Sequence, residues 1–253
     1  MEAVKISKVS IITVCYNASD VISKCLDSVE KQVTENFSVE HIVIDGGSKD
    51  GTVDIVNGHS SPDYFISEQD NGLYDAMNKG IALSTGDVVA FLNSDDEYSD
   101  PKVLVDIVSE FRSSNSKAVF GDLVVLDAID HDKIVRKWKA GPKGNFKHGW
   151  MPPHPSLFVR KSVFNYSGNF NLDFKFSADY EWMIRALHSK NLSLSYLPRT
   201  IVKMRAGGLS NASLINRLKA HIEDYKAWKV NRLIPYPWTI LLKPLRKVTQ
   251  FIK

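Results

Sequence analysis

The stretch Val9-Ser-Ile-Ile-Thr-Val-Cys15, continued by Tyr16-Asn-Ala-Ser-Asp20, decides how this chain is read. Its first half is a short, β-rich apolar run. Behind a Ser19/Asp20 cap signal, Val21, Ile22, Cys25, Leu26 and Val29 then recur at helical spacing. A strand feeding a crossover helix opens a parallel sheet, and the pattern repeats downstream. His41-Ile-Val-Ile-Asp45 reads as a second buried strand stopped by Gly46-Gly47, and Tyr64 to Ser67 as a weaker third. Val88-Val-Ala-Phe-Leu92 is a fourth and Ala118 to Leu126 a fifth, with a helix expected over Leu73 to Leu83. In such α/β sheets a ligand sits beyond the carboxyl ends of the strands. The polar clusters fall there: Thr13 to Asn17, Asp45-Gly-Gly-Ser-Lys-Asp-Gly-Thr52, and Asn93-Ser-Asp-Asp96. Acids at these strand ends suit a site that handles a nucleotide and a cation. A dinucleotide fold would want Gly-x-Gly-x-x-Gly after the first strand, where Cys15-Tyr16-Asn17 stands instead.

Composition narrows the class. With 253 residues, 43% of them hydrophobic, the chain can bury the core of one large α/β domain with or without an appendage. The apolar runs Val9 to Cys15 and Ile234 to Leu242 are too short or too interrupted by proline to read as a signal peptide or a spanning helix. Cys15 and Cys25, ten apart, form neither a metal pair nor a disulfide framework, so a reducing cytoplasm is the expected compartment. Charge is unevenly placed. From Ala212 onward nine basic residues face only Glu223 and Asp224, so the net +3 less this +7 leaves −4 for the body. The expected division is therefore a catalytic domain over 1–211 and a basic C-terminal extension over 212–253. Trp228, Tyr236, Trp238 and Phe251 interleave with the basic residues, which suits a peripheral contact with an anionic membrane surface, the alternative being a solvated helix face. Nucleic acid is not an expected partner, because the body lacks a clustered positive patch.

Seven short strings carry a more specific signal: Ser10-Ile-Ile-Thr-Val-Cys-Tyr-Asn17, Val43 to Thr52, Ser67-Glu-Gln-Asp-Asn-Gly-Leu-Tyr-Asp-Ala-Met-Asn-Lys-Gly80, Phe91-Leu-Asn-Ser-Asp-Asp96, His154-Pro-Ser-Leu-Phe-Val-Arg160, Ser177-Ala-Asp-Tyr-Glu181 and Gly207-Gly-Leu-Ser210. Their order over about 200 residues resembles family-two glycosyltransferases with the GT-A fold, in particular bacterial enzymes of exopolysaccharide (colanic-acid-type) and O-antigen assembly. The resemblance implies an inverting transfer from a nucleotide sugar, with UDP favoured, to a saccharide acceptor that is lipid-linked. Within it, Asp45 is expected to accept the imide N–H of uracil, while Thr13, Tyr16 and Asn17 line base and ribose; a turn-initiating role for Asp45 is the competing reading. Asp70 and Asn78 are expected beside the donor sugar and its phosphates, with Lys79 as nearby positive charge, although Asp70 also reads as a cap and Lys79 as an exposed helix residue. Asp95 and Asp96 are the expected ligands of Mn²⁺ or Mg²⁺, because a hard divalent ion on carboxylates stabilises a departing diphosphate. The family's Asp-x-Asp has Asn93 in its first position here. Asp179 is the expected general base, Ala178 replacing the first member of the family's Glu-Asp pair, with Glu181 as the fallback. His154, Arg205 and the Gly207–Ser210 loop stand near acceptor or phosphates by the same resemblance.

Overall fold

The computed structural model describes residues 5–130, 132–207 and 214–248. Strand β1 (Lys8–Cys15) is buried beyond its first residue, as an apolar run flanked on both sides must be. It leads through α1 (Ile22–Glu30), whose Ile22, Cys25, Leu26 and Val29 face inward, to the parallel strand β2 (Ser38–Asp45). Helix α2 (Thr52–Asn57), strand β3 (Tyr64–Ser67), helix α3 (Leu73–Leu83) and strand β4 (Val88–Phe91) complete a parallel unit in which β3 extends β2 and β4 lies on the far side of β1. Helix α3 lies hard against the sheet: a Cβ on Gly80 would meet Cγ2 of Ile12 at 2.4 Å, so only glycine permits the approach. The five strands and two helices expected from the sequence are all present.

Beyond β4 the sheet changes character. The two-residue strand β5 (Glu97–Tyr98), helix α4 (Val103–Ser114), strands β6 (Ala118–Leu126), β7 (Ile134–Trp138) and β8 (Leu157–Arg160), helices α5 (Lys161–Ser167) and α6 (Ala178–Met183), and strand β9 (Leu194–Arg205) form the second half. The sheet runs β3-β2-β1-β4-β8-β6-β9-β5, with β7 paired to β6. Strand β8 is antiparallel to both β4 and β6, whereas β6 and β9 are parallel. The whole is a mixed, mostly parallel α/β sheet flanked by helices. Strand β9 contains Pro198, which ordinarily argues against a strand; two register shifts beside Gly121 and Asp122 absorb it together with Arg199.

Helices α7 (Leu214–Val230) and α8 (Thr239–Val248) close the described chain. Both pack back on the body that precedes them. Ala227 and Trp228 are fully buried in the same core cluster as Phe146, Tyr180 and Trp182, and the Trp228 indole N–H donates to Tyr180 Oη at 3.2 Å. Trp228 is therefore a core residue and no surface anchor. Helix α8 seats over Gly149, where a Cβ would meet Lys243 N at 2.6 Å, and Thr239 Oγ1 donates to the Lys147 carbonyl at 2.6 Å. Lys243 reaches back to the buried Asp224 at 2.7 Å. Residues 208–210 of the expected Gly207–Ser210 loop, and Phe251, lie outside the described residues.

Candidate active site

The first cluster forms where β1 and β2 end side by side. Asp45 is fully buried, and its carboxylate accepts from the Gly47 and Ser48 backbone N–H groups at 3.0 and 2.9 Å, from Ser67 Oγ at 2.7 Å and from Ser48 Oγ. Those donors hold it below the usual carboxylate range despite the burial that opposes them. Asp45 thus organises the Gly46-Gly47 turn, and contact with a base requires Ser48 or Ser67 to turn its hydroxyl away. Beside it, the Tyr16 ring is 64% exposed and the Asp70 carboxylate closes on Gly46, where an added Cβ would lie 2.7 Å from Asp70 Oδ2 and 3.4 Å from Tyr16 Cδ2. Asn17 adopts a left-handed backbone (φ 48°) and its Oδ1 accepts from Lys49 N at 2.9 Å, tying the first two strand ends together. Thr13 does not belong to this surface. Its hydroxyl is buried against His41 Nε2 at 3.0 Å and Cys25 Sγ at 3.7 Å, on the α1 side of the sheet, and its backbone is committed to the β1–β2 ladder.

The second cluster is the turn after β4. Asn93 Nδ2 donates to Asp96 Oδ2 at 3.2 Å, while Asn93 Oδ1 and Asp96 Oδ1 are buried without a hydrogen-bond partner. Burial pushes Asp96 well above the ordinary carboxylate range and Asp95 adds like charge; Asp95 is also raised by burial, with Arg205 opposing. Two orphaned buried oxygens beside two carboxylates that resist ionising are a costly arrangement on their own and a fitting one for a divalent cation. Asp95 and Asp96, with the Asn93 carbonyl, would hold it. Asp20, Lys24, Lys203 and Arg205 line the cleft next to them. A second acidic group, Asp27, Glu30 and His59, has ligand atoms within 4.8 Å of one another but lies toward the far end of α1. There His59 Nδ1 accepts from Ser61 N at 3.0 Å, which leaves the proton on Nε2 facing Asp27 at 3.0 Å and no lone pair for a metal.

The third cluster joins distant segments. Asp179 sits in the first turn of α6, half-buried, and Tyr74 Oη donates to its Oδ1 at 3.0 Å across a separation of 105 residues. His154 stacks on Phe91, at the end of β4, with ring centroids 5.5 Å apart and packs edge-on to Phe170. Its Nε2 is buried and unpartnered, and burial lowers its proton affinity, with Asp179 opposing. The structure thus brings Asp179, Tyr74, His154 and the end of β4 into one neighbourhood.

Two expected residues are placed elsewhere. Asn78 engages the Phe170 backbone, donating to its carbonyl at 3.0 Å and accepting from its N–H at 2.9 Å, so its amide clasps α3 to the loop before α6. Glu181 is almost wholly buried in a two-pronged pair with Arg185, each N–O distance 2.8 Å, and takes Asn231 Nδ2 at 3.0 Å. This removes the fallback base. Lys79 pairs with Glu68 at 2.7 Å. Sequence reading missed Tyr74 and Glu223. The latter, on α7, accepts the backbone N–H groups of Lys175, Phe176 and Ser177 at 3.0, 2.8 and 2.9 Å, fixing the loop that presents Asp179. Only the position of Tyr74 inside the Asp70–Gly80 string could have marked it; Glu223 carries no local signal.

Residues 10–166 match the family model described as "Glycosyl transferase family 2". The chain belongs to this family. It is 30% identical over 215 residues to a PGL/p-HBAD biosynthesis glycosyltransferase of Mycobacterium bovis, covering 80% of this chain and 78% of that one. It is 33% identical over 186 residues to an uncharacterized glycosyltransferase of Mycobacterium tuberculosis, covering 70% and 68%. Among solved structures, the fold is similar to S. aureus TarS 1-349 in complex with UDP-GlcNAc (TM-score 0.69, 17% identity, 88% of this chain and 65% of that one). It is also similar to the mannosyltransferase PcManGT from Pyrobaculum calidifontis in complex with GDP-Man and Mn²⁺ (TM-score 0.65, 17% identity, 96% and 69%). The family-two glycosyltransferase with a GT-A type fold is thus established for this chain.

Proposed function

We propose that this glycosyltransferase moves a sugar from a UDP-sugar to a hydroxyl of a lipid-linked saccharide with inversion at the anomeric carbon, in the assembly of a surface glycan. The observation that carries the reading is the Tyr74–Asp179 hydrogen bond, which joins the first turn of α3 to the first turn of α6, with His154, stacked on Phe91 at the end of β4, close enough to feel the carboxylate's charge. The Tyr16 ring is the platform for the base, Asn17 and the Asp45 turn its edge, and Asp70 faces the sugar. At the β4 turn a divalent cation, Mn²⁺ or Mg²⁺, would supply positive charge to the diphosphate. Asp95 and Asp96 would hold that ion, and Arg205, which lines the same cleft, would add a cation from the protein. Asp179 takes the proton of the acceptor hydroxyl as its oxygen bonds to the anomeric carbon, and the bond to the diphosphate oxygen breaks with its electron pair leaving on the diphosphate. Tyr74 holds Asp179 in position, and the neutral His154 Nε2 offers a hydrogen bond to the substrate.

Support for a UDP-sugar comes from the structural neighbour TarS, whose structure holds UDP-GlcNAc. The test is Asp179→Asn. An amide keeps the shape but takes no proton, so turnover should fall by roughly two to four orders of magnitude while UDP-sugar affinity measured by calorimetry holds. Transfer within about tenfold of the parent rate would move the base elsewhere; preferential binding of GDP- or CMP-sugars would sink the uridine assignment.

A further inference from the structure

Helices α7 and α8 are well satisfied on their inner sides, where Asp224, Ala227, Trp228 and Thr239 are buried. Their outer sides are the opposite. Ile215, Leu218 and Ile222 recur along α7 at 66, 63 and 61% exposure. Trp238, just before α8, and Leu241 and Leu245 within it recur at 49, 66 and 59%. Spacings of three and four residues place each trio on one side of its helix. Clustered exposure of this kind is uncommon on a monomer's surface and marks a docking face.

Charge identifies the occupant. Over 214–248 the chain carries eight basic residues and only two acids, Glu223 and Asp224. Both acids are consumed inside, Glu223 by three backbone N–H groups and Asp224 by Lys243. The outward charge is therefore positive, with Arg217, Lys219 and Arg232 exposed next to the apolar rows. A second copy docked face to face would set cations against cations. Nucleic acid would use the cations and leave the leucines and isoleucines in water. An anionic bilayer satisfies both, taking apolar rows at the acyl boundary and cations at the headgroups. No described helix is long and apolar enough to cross a membrane, so the contact is lateral.

We propose that the outer face of α7 and α8 is a docking surface for an anionic lipid bilayer, with Ile215, Leu218, Ile222, Trp238, Leu241 and Leu245 entering the interface. The assignment is independent of donor, metal and base. The full-length protein should co-sediment with phosphatidylcholine vesicles containing phosphatidylglycerol roughly tenfold better than with phosphatidylcholine alone, and raised salt should weaken that binding. A combined Trp238→Ser, Leu241→Ser, Leu245→Ser variant should lose roughly tenfold in vesicle affinity, with UDP binding unchanged and the protein still folded, because these side chains lie about half or more in solvent and the Trp238 ring packs on Tyr236, itself at the surface. Equal binding to neutral and anionic vesicles, or undiminished binding by the folded variant, overturns the proposal. So does a dimer in sedimentation equilibrium that the same variant abolishes while wild-type protein ignores vesicles. Vesicle binding by a protein that transfers no sugar would refute the functional reading and leave this one standing.

Discussion

Tyr74→Phe tests the arrangement of the site most sharply, because it deletes one oxygen. The phenol donates to Asp179 Oδ1 at 3.0 Å from a ring that is buried and packed 5.5 Å, centroid to centroid, from Phe170. Phenylalanine keeps that packing, so the fold should survive. A hydrogen bond to a charged group contributes about 1.5–3 kcal/mol, and Asp179 is open enough for water to replace the lost donor, which favours the lower end. If the carboxylate's aim matters only in the transition state, about 1.5 kcal/mol converts to roughly a tenfold loss in kcat. Steady-state transfer with UDP release as the readout, beside calorimetric donor binding, separates the effects: kcat should drop and donor affinity hold. A variant that turns over within twofold of wild type, or whose loss equals its loss of folded protein, would refute a positioning role for Tyr74.

Glu181→Gln leaves Arg185 half-compensated in a buried setting and should cost about 2–3 kcal/mol of stability, the lower end for breaking such a pair since the amide keeps one bond. By calorimetry this is a drop of roughly 5–10 °C, with turnover per folded molecule preserved; a hundredfold loss of turnover in folded protein would reassign the base to Glu181. The carboxylates of the β4 turn predict a pH-dependent metal effect. Burial lets folded Asp96 and Asp95 keep protons that the unfolded chain has already released, so their contribution to stability falls as pH rises through that window. A cation reverses the penalty, so the melting-temperature gain from Mn²⁺ or Mg²⁺ should be small at mildly acidic pH and grow toward neutral pH. Asp95→Asn should abolish most of it, and a gain that shrinks with rising pH would rule the site out.

The parallel half of the fold was legible because each of its strands announces itself. Val9 to Cys15 and His41 to Asp45 are mostly apolar, are buried through their length and end on polar turns. Of the second half only β6 was, since β5 has two residues, β8 follows prolines, and β9 runs through Pro198 by slipping register against β6. Site residues divide in the same way. Asp45, Asp95 and Asp179 stand out as acids at element ends, which a linear reading can find. The engagement of Thr13 with His41, of Asn78 with Phe170 and of Glu181 with Arg185 depends on which way side chains turn between elements far apart in sequence. Trp228 was misread for the same reason: its basic neighbours look like a surface, while α7 turns the indole into the core.

Glu223 gives the C-terminal helices a further meaning. Its carboxylate gathers three consecutive backbone N–H groups ahead of Asp179, while the next residue, Asp224, anchors α8 through Lys243. The helix that carries the outward apolar row therefore also holds the loop that presents Asp179, the proposed proton acceptor. A shortened chain ending before α7 would surrender three hydrogen bonds at the catalytic loop and empty the space filled by Trp228. Solubilising this enzyme by amputation should accordingly yield an inert protein, whereas repainting the outer face residue by residue preserves the machinery. The proposed resting surface and the hold on Asp179 would then be properties of the same seventeen-residue helix.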